Sequence, residues 1–253
     1  MTATGAPHTR SGDGRDRLER RLARADLHLP AFTAEELAAI DPRPPDQRLV
    51  ALPDVDRLGG AGRHGALQAA RRALGAQQLV DDEGRPVGPL RLVHELRTAP
   101  NLVGVVTRFH GAERHDTYLY GLGTVAVLEE RPGTDGVHRF VLRSPARTGS
   151  VLARWSDPDG HAGDTDQELE EHAEPSAVDD LLASASTVTT VAVVGGDATS
   201  PARRAAVHVL VGEGCRTWVL AATAPPARWV AREVSGPTLA VTLEALLCLP
   251  GLP

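Results

Sequence analysis

Aromatic residues and cysteines are scarce in this chain of 253 residues. Aromatics make up only 3% of it, so its core has to be built mainly from aliphatic side chains. Its two cysteines, Cys215 and Cys248, lie far apart and form no CxxC or Cys/His pattern. That usage is typical of reduced structural thiols and excludes a disulfide framework. We expect neither a metal nor another cofactor.

Long apolar runs are also missing. The chain has no stretch of about 18 apolar residues that could span a bilayer. The segment from Met1 to Asp16 is polar and lacks the apolar core of a secretory signal. The sequence therefore predicts a cytoplasmic protein without a membrane span.

Positive charge is not concentrated anywhere along the chain. The net charge is −6, and arginines alternate with acidic residues without forming a basic stripe. Proteins that bind nucleic acid usually carry such a stripe, because they must neutralise phosphates. We expect no nucleic-acid partner.

No catalytic signature stands out. The run Gly121-Leu-Gly123-Thr-Val-Ala126 matches the loose G-x-G-x-x-A form of a dinucleotide fingerprint, but the stretch Val125–Leu128 is β-like, which favours a hairpin turn. His110, His115 and Asp116 are close enough in sequence to supply metal ligands, but a polar bend between two strands is the commoner explanation. We expect a protein that is not an enzyme.

What the chain does contain is one pattern that occurs twice. Residues 90–155 and 180–249 each consist of a helix, several β-rich segments and a closing helix. The clearest match sets Phe140-Val-Leu-Arg-Ser-Pro against Trp229-Val-Ala-Arg-Glu-Val. A period of roughly 90 residues is too long for a solenoid unit. It indicates two half-domains that share a sheet or pack about a pseudo-twofold axis.

The elements of both copies follow from apolar periodicity and turn residues. The first copy comprises a helix at Pro89–Thr98, strands at Leu102–His110, Thr117–Tyr120, Thr124–Glu129 and Val137–Arg143, and a helix at Arg147–Trp155. The second comprises a helix at Ala177–Ser186, strands at Thr187–Val194, Arg203–Val211, Arg216–Ala221 and Arg228–Glu233, and a helix capped by Ser235. Glycine turns between the strands favour antiparallel hairpins. The sequence predicts an α+β fold, with two pseudo-symmetric helix–meander–helix halves forming a central antiparallel sheet flanked by helices.

The domain organisation follows from the repeat and from composition. We expect a disordered tail and peripheral helix at residues 1–32, an N-terminal half at 33–156, a mobile acidic linker at 157–175 and a C-terminal half at 176–253. In the N-terminal half, Thr33-Ala-Glu-Glu36 has the spacing of a capping box, Arg48–Leu52 reads as a strand, and an Ala-rich helix follows.

The order of these elements resembles the EspG family of type VII (ESX) secretion-specific chaperones. The likeness extends over about residues 33–249 and is carried by three segments: Leu90-Arg-Leu-Val-His-Glu-Leu-Arg-Thr; the Leu181-Leu182 helix that leads into Val188-Thr-Thr-Val-Ala-Val; and Trp229-Val-Ala-Arg-Glu-Val followed by Leu239–Leu247. The resemblance implies a cytosolic, non-enzymatic adaptor that binds the exposed tip of a helical secreted protein and keeps it soluble. PE/PPE heterodimers are the family's partners. The chain has no recognisable binding motif of its own, so a WXG-type helical protein or another protein partner stays open.

If that role applies, the binding surface lies on strands and loops of the sheet. The candidate partner-binding residues are Arg108, Tyr118, Tyr120, Arg139, Arg216 and Trp218, because Tyr, Trp and Arg dominate binding hot spots. Tyr120 and Trp218 fit a core position equally well. Two other functions stay open: a scaffold or assembly component whose halves mediate homodimer formation or recruit other proteins, and a small-molecule-binding or catalytic protein with a pocket between the halves.

Overall fold

The computed structural model describes residues 11–41, 43–164, 166, 169–172, 175–196, 203–212, 216–222 and 229–248. The helices within these residues are α1 (Ser11–Arg24), α2 (Ala34–Ile40), α3 (Pro53–Asp56), α4 (Gly60–Ala76), α5 (Gly88–Thr98), α6 (Pro145–Ser156), α7 (Pro175–Ser184) and α8 (Gly236–Leu247). The strands are β1 (Leu27–His28), β2 (Phe32–Thr33), β3 (Leu102–His110), β4 (Glu113–Leu122), β5 (Ala126–Pro132), β6 (Val137–Arg143), β7 (Leu169–His172), β8 (Ala185–Gly195), β9 (Arg203–Gly212), β10 (Arg216–Ala222) and β11 (Trp229–Glu233).

All of these strands belong to one antiparallel sheet made of two meanders that meet in the middle. Its order is β1-β6-β5-β4-β3-β8-β9-β10-β11-β7, and β2 also pairs with β6. At the centre β3 runs antiparallel to β8, from Leu102 opposite Gly195 to His110 opposite Thr187. Because the first strand of one meander pairs with the first strand of the other, the halves are related by a pseudo-twofold axis. The predicted α+β architecture is confirmed.

The sheet has two faces that are covered differently. Face A is the side on which Leu102, Val106 and Leu119 lie, and the two closing helices α6 and α8 pack across its middle. Leu152 of α6 and Leu243 of α8 are almost fully buried there. The two halves therefore share one apolar core on face A.

Face B, the opposite side, carries a separate core in each half. In the first half α5 and the N-terminal helices cover Tyr120, Leu128 and Phe140. In the second half α7 covers Leu210 and Leu220. The two cores lie towards opposite ends of the sheet, one over β4–β6 and the other over β9–β11.

Local sequence signals explain where the helices begin. The side chain of Thr33 accepts a hydrogen bond from the Glu36 N–H, and the Glu36 carboxylate accepts one from the Thr33 N–H, so the predicted capping box is present at α2. Ser144 caps α6 and Ser235 caps α8, each with a proline in the first turn. Helix α6 begins two residues earlier than predicted.

Three features of the fold differ from the sequence-based expectations. Residues 48–52 form no strand: the Arg48 guanidinium instead binds Asp56 at 3.0 Å and the Asp41 carbonyl at 3.3 Å, which holds this segment in an irregular path. The N-terminal region contributes the short strands β1 and β2, which lie against β6.

The acidic segment between the halves is the third difference. It contains β7, which pairs with β11 from Trp229 opposite His172 to Arg232 opposite Leu169. Asp166 accepts a hydrogen bond from the Ser235 N–H at 2.7 Å, and Asp157 accepts one from the Thr217 hydroxyl at 3.1 Å. The domain boundaries stay predictions, and Cys215 and residues 1–10 lie outside the described residues.

Candidate partner-binding surface

None of the helices that the structure describes covers the middle of face B, between α5 and α7. The side chains there come from β3, β8 and β9, and we call them the central strip: Val103, Val105, Phe109, Ala192, Val194 and Ala206. Phe109 is 43% exposed and Val194 42% exposed. By register Val103, Val105, Ala192, Val194 and Ala206 adjoin one another, and the pair Thr107–Thr190 separates Phe109 from them. Exposed apolar residues that adjoin one another on a protein surface commonly mark a binding site.

Main-chain pairing decides what kind of contact the central strip offers. Strand β3 is hydrogen-bonded to β4 on one side and to β8 on the other, and β8 is hydrogen-bonded to β3 and β9. These strands therefore have no free edge that would accept another strand. The central strip can only engage the side chains of a partner, as a helix or a helical turn presents them.

Polar groups lie between Phe109 and the other residues of the central strip. The Thr107 hydroxyl donates to the Asp116 carboxylate at 2.7 Å, and the Arg114 guanidinium lies 5.9 Å from the centre of the Phe109 ring. An apolar centre with a polar rim is the usual anatomy of a protein–protein interface.

A histidine borders the strip in the second half. The His208 Nδ1 lies 2.9 Å from the Thr190 hydroxyl, and the His208 ring is 5.7 Å from the Trp229 ring, measured between centroids. Burial lowers the pKa of His208, so its imidazole is neutral near pH 7. This part of the rim adds hydrogen-bonding capacity without adding charge.

The structure does not bring the six predicted partner-binding residues together. By strand register, Arg108 and Arg139 lie on face A, whereas the other four lie on face B. Tyr118 is half-buried and lies directly opposite Val105 of the central strip. Tyr120 lies opposite Val103 but is buried, so Tyr118 is the predicted residue that borders the strip with part of its side chain exposed.

Two of the predicted residues serve the core. Tyr120 is only 1% exposed and donates its hydroxyl hydrogen to Glu130 at 2.8 Å. Trp218 is half-buried and packs in the apolar cluster under α7. The Tyr120 ring is therefore out of a partner's reach, and the Trp218 ring is partly covered by the cluster under α7.

The three arginines have partners within the chain. Arg108 donates to the Trp155 carbonyl at 2.7 Å and stacks over the Trp155 ring at 4.8 Å. Arg139 pairs with Asp135 at 2.8 Å, and Arg216 pairs with Glu233 at 3.6 Å. Arg139 and Arg216 are exposed, and their pairs can exchange for a partner's carboxylate at small cost.

A buried polar cluster in the first half has the composition of an acid–base site. Glu130 accepts from Arg97 at 3.0 Å and contacts His138 at 2.7 Å, besides its bond to Tyr120. Burial by itself raises the pKa of Glu130, but the hydrogen bonds from His138 and Tyr120 and the Arg97 charge outweigh it, so the net shift is downward. All four side chains belong to residues that are at most 5% exposed. A substrate cannot reach them, so the cluster is structural.

Neither a metal site nor a membrane-spanning helix is present in the part of the chain that the structure describes. No group of three or more His, Cys, Asp or Glu residues is arranged to hold a metal ion there. None of the helices there has the length and apolar character needed to cross a bilayer.

Comparison with known proteins shows a likeness at the level of structure. No protein-family model matches the sequence, and no curated protein matches it. Among solved structures, the Mycobacterium tuberculosis type VII secretion system chaperone EspG5, in complex with the PE25–PPE41 dimer, has a similar architecture. The two chains superpose with a TM-score of 0.58 over 90% of this chain and 97% of that one.

The chain has an EspG-like fold. At 11% sequence identity the likeness concerns the arrangement of helices and strands and assigns no role to individual residues. The predicted resemblance is confirmed at this level. The EspG-like fold places the central strip at the junction of the two halves, where β3 meets β8.

The sequence contains a signal for the central strip that the search for aromatic and arginine residues missed. In Leu102–His110, apolar residues occupy both alternating sets, Leu102 and Val106 on one and Val103 and Val105 on the other. A strand that is apolar on both sides is normally covered on both sides. Here only face A is fully covered, which turns the second apolar set into a surface.

Proposed function

We propose that this protein is a cytoplasmic, non-enzymatic chaperone-type adaptor that binds a helical protein client through the central strip. The observation that carries the proposal is the uncovered apolar surface at the centre of an EspG-like sheet, with Phe109 and Val194 each more than 40% exposed. The EspG5 structure, which holds a PE25–PPE41 dimer, supports a role in type VII secretion.

The chemistry of the strip supports a helical client in particular. Its central strands have no free main-chain groups, so the binding energy has to come from side-chain burial. A helical hairpin tip with apolar side chains needs such a cover, because it would otherwise expose apolar surface and aggregate. Secreted helical hairpins of the PE/PPE or WXG type are the clients that we propose.

The residues that we propose for the contact are Phe109, Val194 and Val103, with Tyr118 at the border. Burial of a valine or phenylalanine side chain contributes about 1.5–3 kcal/mol. A charge placed in the strip would have to be desolvated by the client, which costs several kcal/mol. Substitution of a central residue by aspartate is therefore expected to reduce affinity at least tenfold.

The test is co-purification from the native organism, with Val194→Asp and Phe109→Asp set beside the wild-type chain. The wild-type protein is expected to retain a helical hairpin protein, identified by mass spectrometry, and both variants are expected to lose it. Val241→Asp is the matched control, because Val241 is a 64% exposed valine on α8, far from face B. Unfolding curves establish that all variants fold.

Retention of the same client by both strip variants would contradict the proposal. Isolation of a stable client that contains no helical hairpin would contradict it as well. Binding that is then measured with the purified client gives the affinity change directly.

A further inference from the structure

Arginines on the strands of the sheet are held by partners within the chain, with one exception. Nine arginines lie on the described strands. Six of them pair with carboxylates, Arg108 donates to the Trp155 carbonyl, and Arg203 also has a partner. The exception is Arg204 on β9, which is exposed and whose side chain forms no hydrogen bond, ion pair or ring contact with the residues that the structure describes. This cation is therefore available to a bound molecule.

Arg204 adjoins the central strip. By strand register it lies on face B directly opposite Val194, and Val194 lies directly opposite Val103. The three side chains therefore form a row across β9, β8 and β3, in which neighbouring strands are about 4.8 Å apart. Val194 is 42% exposed, so the row presents a cation beside an open apolar surface.

The surface around the central strip carries one uncompensated positive charge. On face B, the strands β3, β4, β8 and β9, which the structure describes throughout, have three charged side chains: Arg204, Arg114 and Asp116. Arg114 and Asp116 pair with each other at 3.1 Å, so their charges offset. His208 adds no charge near pH 7, because burial lowers its pKa. The remaining cation favours a partner's carboxylate over an ammonium or guanidinium group.

The acidic residues of α7 do not neutralise Arg204. Asp179 and Asp180 are exposed on that helix. However, α7 packs on β9 at Leu210, six residues along the strand from Arg204, which is a separation of about 20 Å. None of the described carboxylates pairs with the Arg204 guanidinium. At this end of the strip a carboxylate has to come from a partner.

A helix supplies the complementary spacing. Side chains three or four positions apart on a helix face lie about 5–6 Å from each other, which is close to the spacing between neighbouring strands. A helix that places an apolar side chain on Val194 therefore places a residue three or four positions away over Arg204. Arginine suits this contact, because its guanidinium can bind both oxygens of a carboxylate.

We propose that Arg204 selects helical partners in which an aspartate or glutamate lies three or four positions from the apolar residue that packs on Val194. The proposal rests on the proposed function, since it describes the helical client of the central strip. It adds the chemical feature that distinguishes one such client from another. A helix with lysine or arginine at the same place is rejected by repulsion from Arg204.

The experiment is an NMR titration of the full chain with three acetylated, amidated peptides whose helicity is measured by circular dichroism. The first is Ala-Gln-Ala-Ala-Gln-Ala-Leu-Ala-Ala-Glu-Leu-Ala-Gln-Ala-Ala-Gln-Ala, with its glutamate three positions after a leucine. In the second peptide glutamine replaces the glutamate, and in the third lysine replaces it. All three are expected to shift the amide signals of Val103 and Val194, because all three carry the leucines.

The glutamate peptide is expected to bind about threefold more tightly than the glutamine peptide and about tenfold more tightly than the lysine peptide. The net charge of the chain is −6, so general electrostatics would favour the lysine peptide instead. The expected order therefore identifies a local effect. Tightest binding of the lysine peptide would overturn the proposal.

Charge reversal assigns the local effect to Arg204. Arg204→Glu is expected to reverse the order, so that the lysine peptide binds more tightly than the glutamate peptide. Arg154→Glu is the matched control, because Arg154 is also exposed and unpaired among the described residues but lies on α6, over face A. It is expected to leave the order unchanged. Urea unfolding establishes that both variants fold, and the same change of order in both would contradict a specific role of Arg204.

The two proposals fail separately. Equal binding of the three peptides, with Val194→Asp still abolishing it, would overturn the role of Arg204 and leave the central strip as the client site. Binding of none of them at millimolar concentration would also overturn that role, and client capture by the wild type against Val194→Asp then decides the chaperone function. If the glutamate preference depends on Arg204 but no helical client depends on Val194, only the chaperone function fails.

Discussion

On face B the two halves bury different kinds of side chain at equivalent positions of the sheet. Under α5 the first half buries Glu130 with Arg97, His138 and Tyr120 beside its leucines. Under α7 the second half buries an apolar cluster of Val178, Leu210, Leu220 and Ala231.

The polar core and the apolar core stabilise the positions of their helices in different ways. Buried ion pairs add little net stability, but each donor and acceptor fits only one arrangement of the elements around it. Apolar contacts are non-directional and tolerate small shifts. We infer that Arg97 fixes the position of α5 on the sheet through Glu130, whereas the described contacts between α7 and the sheet are apolar.

The largest expected effect comes from breaking the ionic core of the first half. Glu130→Ala leaves the Arg97 guanidinium buried without its carboxylate, which costs about 3–5 kcal/mol of unfolding free energy. Urea denaturation measures the loss. The double variant Glu130→Leu with Arg97→Met removes both charges and is expected to be more stable than Glu130→Ala. A loss below about 1 kcal/mol in Glu130→Ala would show that the cluster is not held tightly.

The matching change in the second half is Leu220→Ala. Leu220 is 0% exposed, so its truncation leaves a cavity and costs about 3 kcal/mol by the same denaturation measurement. Leu220→Met keeps the volume and is expected to cost less than about 1.5 kcal/mol. If both substitutions were equally harmful, packing volume would not be what stabilises this half.

Gly149→Ala tests the contact that the two halves share on face A. A Cβ at position 149 would lie 2.7 Å from the Ala240 carbonyl oxygen and 2.8 Å from the Glu244 nitrogen, so α6 and α8 would have to separate. We expect a loss of about 1–3 kcal/mol in thermal or urea unfolding. Gly65→Ala in α4 is the control, because nothing lies within 4 Å of the added Cβ and alanine favours a helix. Stabilisation by both substitutions would contradict this crossing geometry.

Acid is expected to weaken the protein in two pH ranges, with the smallest effect of the four. Protonation of histidines affects both halves, and protonation of Glu130 affects only the first half. The lowered pKa of Glu130 gives stability above its ordinary value of 4.5 that is lost as pH falls through the folded-state pKa. Burial lowers the pKa values of His208 and His94, so their stabilising share is present above 6.5 and is lost as pH falls below it.

Unfolding free energies measured from pH 7 to 3 check these ranges. His208→Gln and His94→Gln are each expected to reduce the loss of unfolding free energy that begins at pH 6.5. The Glu130→Leu, Arg97→Met variant is expected to reduce only the loss below pH 4.5. A change in the opposite range for either variant would contradict the assignment.

Strands bounded by clear turn residues were predictable from the sequence. Leu102–His110 and Val137–Arg143 have the predicted limits, because β-rich runs end at glycine turns or at a capped helix. Gly123, with a φ of 54°, lies in the turn between β4 and β5, which confirms the hairpin interpretation of Gly121-Leu-Gly123. Strand β7 was missed, since an acidic segment carries no apolar alternation and pairs only because β11 offers it an edge.

The candidate site was less predictable. Tyr118 borders the central strip, but residue type alone placed Tyr120 and Trp218 in a binding surface when their neighbours make them core residues. Val103 and Val194 were overlooked because the two-sided apolar pattern of β3 does not tell which side stays uncovered, and nothing local distinguishes an uncovered valine from a covered one.

The sequence alone determined the helix–meander–helix order, the helix caps and the pairing of neighbouring strands, because these depend on contacts within a few residues of the chain. Only the tertiary structure decided that β3 pairs with β8, that face B stays open above them and that β4 and β5 separate below Tyr118. These features depend on which helices cover which part of the sheet, and that is settled by contacts between residues that lie far apart in the sequence.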